Sequence, residues 1–77
     1  NPFNPSTRIN FEISEPAVVS LKVYNILGEE LDELAGKQFT AGMHSVIFNA
    51  SDLANGIYFY TLQAGDRRRT KKMFLMK

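Results

Sequence analysis

Hydrophobic and polar residues alternate along much of the chain, and a period of two predicts β-strands with one buried face. The alternation is clearest over residues 7–14, which Glu15-Pro16 terminates, and again over residues 17–25. These two runs are predicted to pair as antiparallel neighbours. Their buried positions are predicted to be Ile9, Phe11 and Ile13, followed by Val19, Leu21 and Val23.

The middle of the chain gives weaker signals. Gly28 is expected to adopt a positive φ in the turn before a short third strand over residues 30–34, which carries Leu31 and Leu34. A connection over residues 36–42 leads into a strand over residues 43–49. Because both faces of that strand are partly apolar, it is predicted to lie in the centre of a sheet.

The last third of the chain combines one predicted helical turn with a predicted hairpin. "ASDLANG" is expected to form the turn, with Ser51 or Asp52 as its N-cap and Asn55-Gly56 as its left-handed stop. "IYFYTLQA" is rich in aromatic and β-branched residues, which favour strands. Gly65-Asp66 fits a two-residue hairpin loop, so residues 67–77 are predicted to form the returning strand.

Six or seven short strands with turns between them predict an all-β fold, an antiparallel immunoglobulin-like β-sandwich, with a small barrel as the alternative. The 77 residues fit one domain, and residues 1–6 form a boundary segment rich in Asn and Pro. Because the first residue is Asn1 and not Met, the chain is interpreted as the tail of a larger secreted protein.

Composition and charge exclude several classes of function. The chain has no cysteine and a net charge of only +1, and its apolar runs are too short for a membrane span. The lone His44 has no Cys partner and no second His, and it is predicted to be a strand residue whose ring hydrogen-bonds a neighbouring loop. The acidic residues of "GEELDEL" lack the spacing of a calcium loop. No catalytic, cofactor-binding or metal-binding residue is predicted, and neither a cofactor nor an enzymatic activity is expected.

The basic segment "RRRTKKMFLMK" holds six of the nine Lys and Arg residues. A nucleic-acid site requires such clustering, but the domain as a whole is nearly neutral, and Phe74 falls where a core residue is expected. Strand alternation also predicts that either Met73 and Leu75 or Phe74 and Met76 are buried in the core, and not exposed to a lipid surface. The pattern therefore favours an edge strand whose cations block unwanted pairing between sheets.

Four blocks of the sequence, in this order, resemble the type A C-terminal sorting domain of the type IX (Por) secretion system. They are "NPFNPSTRINFEI", "VVSLKVYNILGEELDEL", "AGMHSVIFNASDLANGIYFYTLQAG" and "KKMFLMK". The resemblance covers nearly the whole chain and depends on the combination of blocks, since any one of them alone is weak. The immunoglobulin-like domain of the flagellar hook-capping protein is similar in much of the same pattern.

The resemblance implies a non-catalytic signal that directs a covalently joined upstream cargo from the periplasm across the outer membrane. The implied partners are an outer-membrane translocon, a shuttle protein and a sortase-type protease. The implied location is the periplasm in transit, then the cell surface or the extracellular space of a Gram-negative bacterium of the Bacteroidetes type. The residues of this chain that match the family's recognition elements are Asn1, Pro2, Asn4, Pro5, Leu21, Lys22, Gly28, Gly56, Tyr58, Lys71, Lys72, Leu75 and Lys77.

Other functions remain open at the level of the sequence. The first is an immunoglobulin-like assembly or adhesion domain of the flagellar hook-scaffold type. The second is nucleic-acid or glycan binding, which the basic segment suggests but the net charge disfavours. Self-association through an exposed edge strand is a further possibility for the same fold.

Overall fold

In the computed structural model, the described residues, 6–76, form six β-strands and no helix. The strands are β1 (Ser6–Ile13), β2 (Ala17–Tyr24), β3 (Glu30–Phe39), β4 (Gly42–Asn49), β5 (Gly56–Ala64) and β6 (Arg67–Leu75). The predicted boundary residues Asn1 to Pro5 lie outside the described part, and β1 begins at Ser6, one residue earlier than predicted.

The strands form two sheets, one of two strands in the order β1-β4 and one of four strands in the order β3-β2-β5-β6. All pairings are antiparallel. This order corresponds to strands C′, C, F and G of an immunoglobulin-like sandwich in one sheet and strands B and E in the other. The predicted all-β sandwich is therefore confirmed.

The core lies where the two-stranded sheet covers the middle of the larger one. Alternate residues of β1 and β2 point into it as predicted, and Phe48 of β4 is only 2% exposed. The largest fully buried side chains, besides Phe48, are those of β2. The buried hydrophobic set is Ile9, Phe11, Ile13, Val19, Leu21, Val23, Ala35, Phe48, Ala50, Tyr58 and Leu75.

His44 is part of an aromatic cluster at the β3 side of this core. Its ring centroid lies 4.9 Å from that of Phe39 and 5.5 Å from that of Phe11, and the two Phe rings meet edge to face at 5.3 Å. The His44 Nε2 atom lies 2.7 Å from the carbonyl oxygen of Thr40 in the β3–β4 connection. The ring hydrogen-bonds a neighbouring loop, as predicted, and the cluster gives it a packing role.

The predicted pairing of the first two strands is wrong. β1 pairs with β4, from Ser6 opposite Asn49 to Ile13 opposite Gly42, whereas β2 pairs with β3 and β5. The physical reason is that the buried faces of β1 and β2 are both apolar, and placing the strands in opposite sheets lets these faces pack against each other.

Two predictions for the middle of the chain also need correction. β3 continues to Phe39 instead of ending at Leu34, because its pairing with β2 places Ala35 opposite Leu21 in the core. β4 is not a central strand, since within the described residues it pairs with β1 alone. Its second apolar row, Met43 and Ile47, is exposed to solvent.

The predicted helical turn in "ASDLANG" is wrong, and the predicted hairpin and positive φ values are correct. Residues 50–53 form a tight turn in which the Leu53 N–H donates to the Ala50 carbonyl oxygen, at 3.0 Å. Asn49 Oδ1 accepts from the Ser51 N–H at 3.0 Å and so competes with helix formation. Gly65 has a φ of 61° in the β5–β6 hairpin, and Gly28 has a φ of 85°.

We expect Phe48→Ala to lower the free energy of unfolding by about 3–5 kcal/mol, because it opens a cavity under the covering sheet. A domain of this size has a total stability of only about 4–12 kcal/mol, so the variant will be close to unfolding. Phe74→Ala is the matched control, since Phe74 is 68% exposed and its loss is expected to cost less than about 1 kcal/mol. Urea denaturation measures both, and equal losses would contradict the described core.

Candidate recognition surface

Three of the four sequence blocks come together at one end of the sandwich. The end of β2, the turn over residues 25–29, the start of β5 and the end of β6 all lie there, as the pairings Tyr24–Phe59 and Gly56–Leu75 require. We call this the Gly28 end. The antiparallel pairing of β1 with β4 sets Ser6 opposite Asn49, just before the turn that leads into β5.

Asn25 organises the turn at the Gly28 end. Its Oδ1 accepts from the N–H groups of Leu27 and Glu29, at 2.9 and 3.0 Å, and its Nδ2 donates to Glu29 Oε1 at 2.7 Å. Its backbone carbonyl accepts from the Gly28 N–H, and its own N–H donates to the Glu29 carbonyl oxygen. The Asn25 side chain thus accepts hydrogen bonds from two backbone N–H groups of an exposed turn, and these bonds fix the shape of the turn.

This ordered turn carries two large apolar side chains in solvent. Ile26 is 69% exposed and Leu27 is 79% exposed. Exposed apolar side chains are common singly, but a group of them at one place indicates an interaction site.

The outer face of the four-stranded sheet adds apolar residues at the same end. Ile57 and Phe74 are directly opposite each other on β5 and β6, and both are exposed. Met76 follows the end of β6 and is exposed as well. The Lys72 Nζ atom lies 5.9 Å from the centroid of the Phe74 ring, within cation–π distance. We call Ile26, Leu27, Ile57, Phe74 and Met76 the apolar end patch.

Tyr58 ties the preceding loop to the sheet at this end. It is buried, and its hydroxyl donates a 2.7 Å hydrogen bond to the carbonyl oxygen of Ala54. Immunoglobulin-like folds hold their E–F corner in the same way, with a Tyr near the start of strand F bonded to backbone a few residues upstream. Tyr58 therefore positions the loop over residues 50–55.

The recognition residues implied by the resemblance divide into buried and exposed groups. Leu21, Tyr58 and Leu75 are buried, so they contribute to the fold. The exposed group consists of Gly28, Gly56, Lys71 and Lys72, with Lys22 partly exposed. Asn1, Pro2, Asn4, Pro5 and Lys77 lie outside the described residues.

The basic strand β6 is exposed from Arg67 through Lys72 on both of its faces. Only its last part reaches the core, through Leu75, and the expectation that Phe74 is a core residue is wrong. Among residues 6–76, the ion pair is Lys22 Nζ with Glu30 Oε1 at 3.6 Å, so no carboxylate there neutralises β6. The cations of β6 are therefore available to a partner.

The sequence pattern did not predict the apolar end patch, although it did show that the β6 segment contains apolar residues. Ile26 and Leu27 looked like ordinary turn residues, and Phe74 looked like core. The signal that was present is the pair of bulky apolar residues directly before Gly28, where turns are usually polar.

In the described part of the chain, no segment is a helix long and apolar enough to cross a membrane. Within the same residues, no group of three or more His, Asp or Glu side chains is arranged to hold a metal ion.

We expect Tyr58→Phe to lower stability by about 1 kcal/mol, because it leaves the Ala54 carbonyl oxygen without its hydrogen bond. Hydrogen exchange should speed up at residues 50–55 in the same variant. Tyr60→Phe is the control, since the Tyr60 hydroxyl makes no hydrogen bond within the described residues. If thermal unfolding shows the same change for both variants, the anchoring role of Tyr58 is wrong.

Comparison with known proteins agrees with the resemblance of the four blocks. A model of the family described as "secretion system C-terminal sorting domain" matches residues 1–76. No curated protein and no solved structure matches the chain. Because the family match extends over nearly every residue, the chain belongs to the C-terminal sorting domains of the type IX secretion system.

Proposed function

We propose that this chain is a non-catalytic sorting signal of type A, read in its folded state at the Gly28 end. A sorting domain of this family implies export of an attached cargo across the outer membrane to the cell surface or beyond. The observation that carries the proposal is the apolar end patch, which lies on ordered backbone beside the exposed cation Lys72.

A receptor contacts only the accessible side chains of a folded domain. Buried residues such as Leu21 and Leu75 are inaccessible, so they act only by maintaining the fold. Exposed apolar side chains bury area when a partner docks, and charged side chains at the rim steer the approach. The apolar end patch with Lys72 provides both in one place.

β6 also offers an unpaired edge to a partner. Among the described strands it pairs with β5 alone, so the N–H and C=O groups of its other edge are free to accept an added strand. The recognition elements in this proposal are Lys22, Gly28, Gly56, Lys71 and Lys72 together with the apolar end patch. The buried elements Leu21, Tyr58 and Leu75 shape the surface from below.

The partners in this proposal are the outer-membrane translocon and its shuttle protein, with a sortase-type protease acting near the start of the domain. The cargo passes from the periplasm to the surface while joined to the upstream side of the chain. Asn1, Pro2, Asn4 and Pro5 belong to the proposed boundary that the protease and translocon meet, and Lys77 completes the basic terminal block.

We expect Phe74→Glu and Leu27→Glu to leave a reporter fused upstream of this chain in the periplasm of a bacterium with a type IX system. Each substitution places a charge in the apolar end patch without touching the core, because both side chains are largely exposed. Fractionation with surface protease digestion of the reporter distinguishes periplasmic from exported protein.

Val18→Glu and Ile47→Glu are the matched controls. Both replace exposed apolar residues, on strands β2 and β4, that lie outside the apolar end patch. Normal export of the Phe74 and Leu27 variants, or equal retention of all four, would show that the patch is not the recognition surface. Deleting residues 71–77 is a poorer test, because it also removes Leu75 from the core.

A further inference from the structure

An open groove runs between β1 and β6, away from the apolar end patch. Its volume is about 940 Å³, and it is bounded at one end by the β1–β2 connection and the β5–β6 hairpin. The floor consists of Tyr60, Leu62 and Ala64, which are only half-buried. Half-buried apolar residues on the inner face of a sandwich indicate that nothing in the described chain covers this part of the sheet.

One wall of the groove is the free edge of β1. Among the described strands β1 pairs only with β4, and Asn10 to Ile13 line the groove. In immunoglobulin-like sandwiches the strand equivalent to β1, strand B, pairs on this side with strand A. The groove is therefore the place of a strand that the six described strands do not provide.

The other wall is basic. Arg67, Arg69 and Lys71 are opposite Ala64, Leu62 and Tyr60 in the register of β5 and β6, so they project from the inner face of the sheet. All three are exposed, and no carboxylate among the described residues is paired with them. Unpaired guanidinium groups in a groove favour carboxylate ligands, which they bind with two parallel hydrogen bonds.

The acidic residues near the groove restrict the direction in which the carboxylates of an added strand point. Glu12 and Glu15 line the β1 side, and Asp66 lines the hairpin end. Glu12 alternates with the buried Phe11 and Ile13, so it belongs to the solvent face of β1. Carboxylates of an added strand are therefore favourable only where they point down towards β6.

We propose that this groove binds an extended acidic segment of another protein, added as a strand to the free edge of β1. Glu side chains at alternate positions fit it, because their methylene groups cover Tyr60 and Leu62 while their carboxylates reach Arg67, Arg69 and Lys71. Backbone pairing with β1 supplies the affinity and the alternating carboxylates supply the specificity.

The chain's own leading residues do not meet these requirements. Residues 1–5, "NPFNP", contain no acidic side chain, and their two prolines each lack the N–H that a paired strand donates. These five residues therefore cannot supply the alternating carboxylates that the groove favours. This inference does not depend on the proposed sorting function. The groove shares only Lys71 with the proposed sorting surface, because it adjoins the β5–β6 hairpin and the apolar end patch lies at the other end of the sheet.

The test uses the isotope-labelled chain and a capped synthetic peptide of alternating Thr and Glu, eight residues long to match β1. We expect saturable NMR shift changes at the amides of Asn10 to Ile13 and along β6, weakening as salt is added. Arg67→Glu combined with Arg69→Glu should weaken binding at least about tenfold. Lys72→Glu is the matched control on the outer face of the same strand, and it should bind like the unmodified chain.

Further peptides separate strand addition from simple charge attraction. An alternating Thr and Lys peptide should not bind, and a Thr and Glu peptide interrupted by Pro should bind more weakly, because it loses backbone pairing. Shift changes confined to β6, or reproduced by inorganic phosphate, would overturn the proposal. Equal weakening by Lys72→Glu, or no binding of the Thr and Glu peptide, would overturn it as well.

Discussion

The structure depends on one geometric constraint, which is that a sheet of two strands must cover a sheet of four. Neighbouring strands are about 4.8 Å apart, so the smaller sheet shields only about half the width of the larger one. The fully buried residues accordingly concentrate on β2, at the centre of the larger sheet, and on Phe48 above it. The edge strands β3 and β6 lie at the margin of this cover and carry charged residues on both faces. The residues of these two strands that reach under the cover are Leu34, Ala35, Phe39, Met73 and Leu75.

The sequence pattern predicted those features that depend on neighbouring residues. Alternation identified most of the strands, and Gly65-Asp66 located the last hairpin, because strand period and turn geometry are local properties. Alternation contains no information about which strand becomes the neighbour, so β1 and β2 were assigned to the wrong pairing. Phe74 and Leu75 are both apolar, and alternation does not show which of them faces the core. The register with β5 decides this, because Leu75 pairs with Gly56 on the same face of the sheet as the buried Tyr58.

The candidate site shows the same division between local pattern and three-dimensional arrangement. A resemblance between sequences does not distinguish exposed residues from buried residues that hold the surface in place, and the structure shows that Leu21, Tyr58 and Leu75 are buried. Exposure of Ile26 and Leu27 follows from the network of bonds around Asn25, which points an ordered turn into solvent. That network depends on the geometry of the whole turn, and so the apolar character of these two residues alone did not reveal it.

The pairing of β1 with β4 also determines the order in which the domain is completed. Of the six described strands β1 is synthesised first, but its partner is β4. The pair of Ser6 with Asn49 therefore forms only after Asn49 has been made. Such long-range pairings form slowly, because the intervening chain must be ordered before the contact is made. Of the six described strands β6 emerges last, and it contributes Leu75 to the core. The finished surface therefore exists only after nearly the whole chain has been made, and a prematurely terminated protein does not display it.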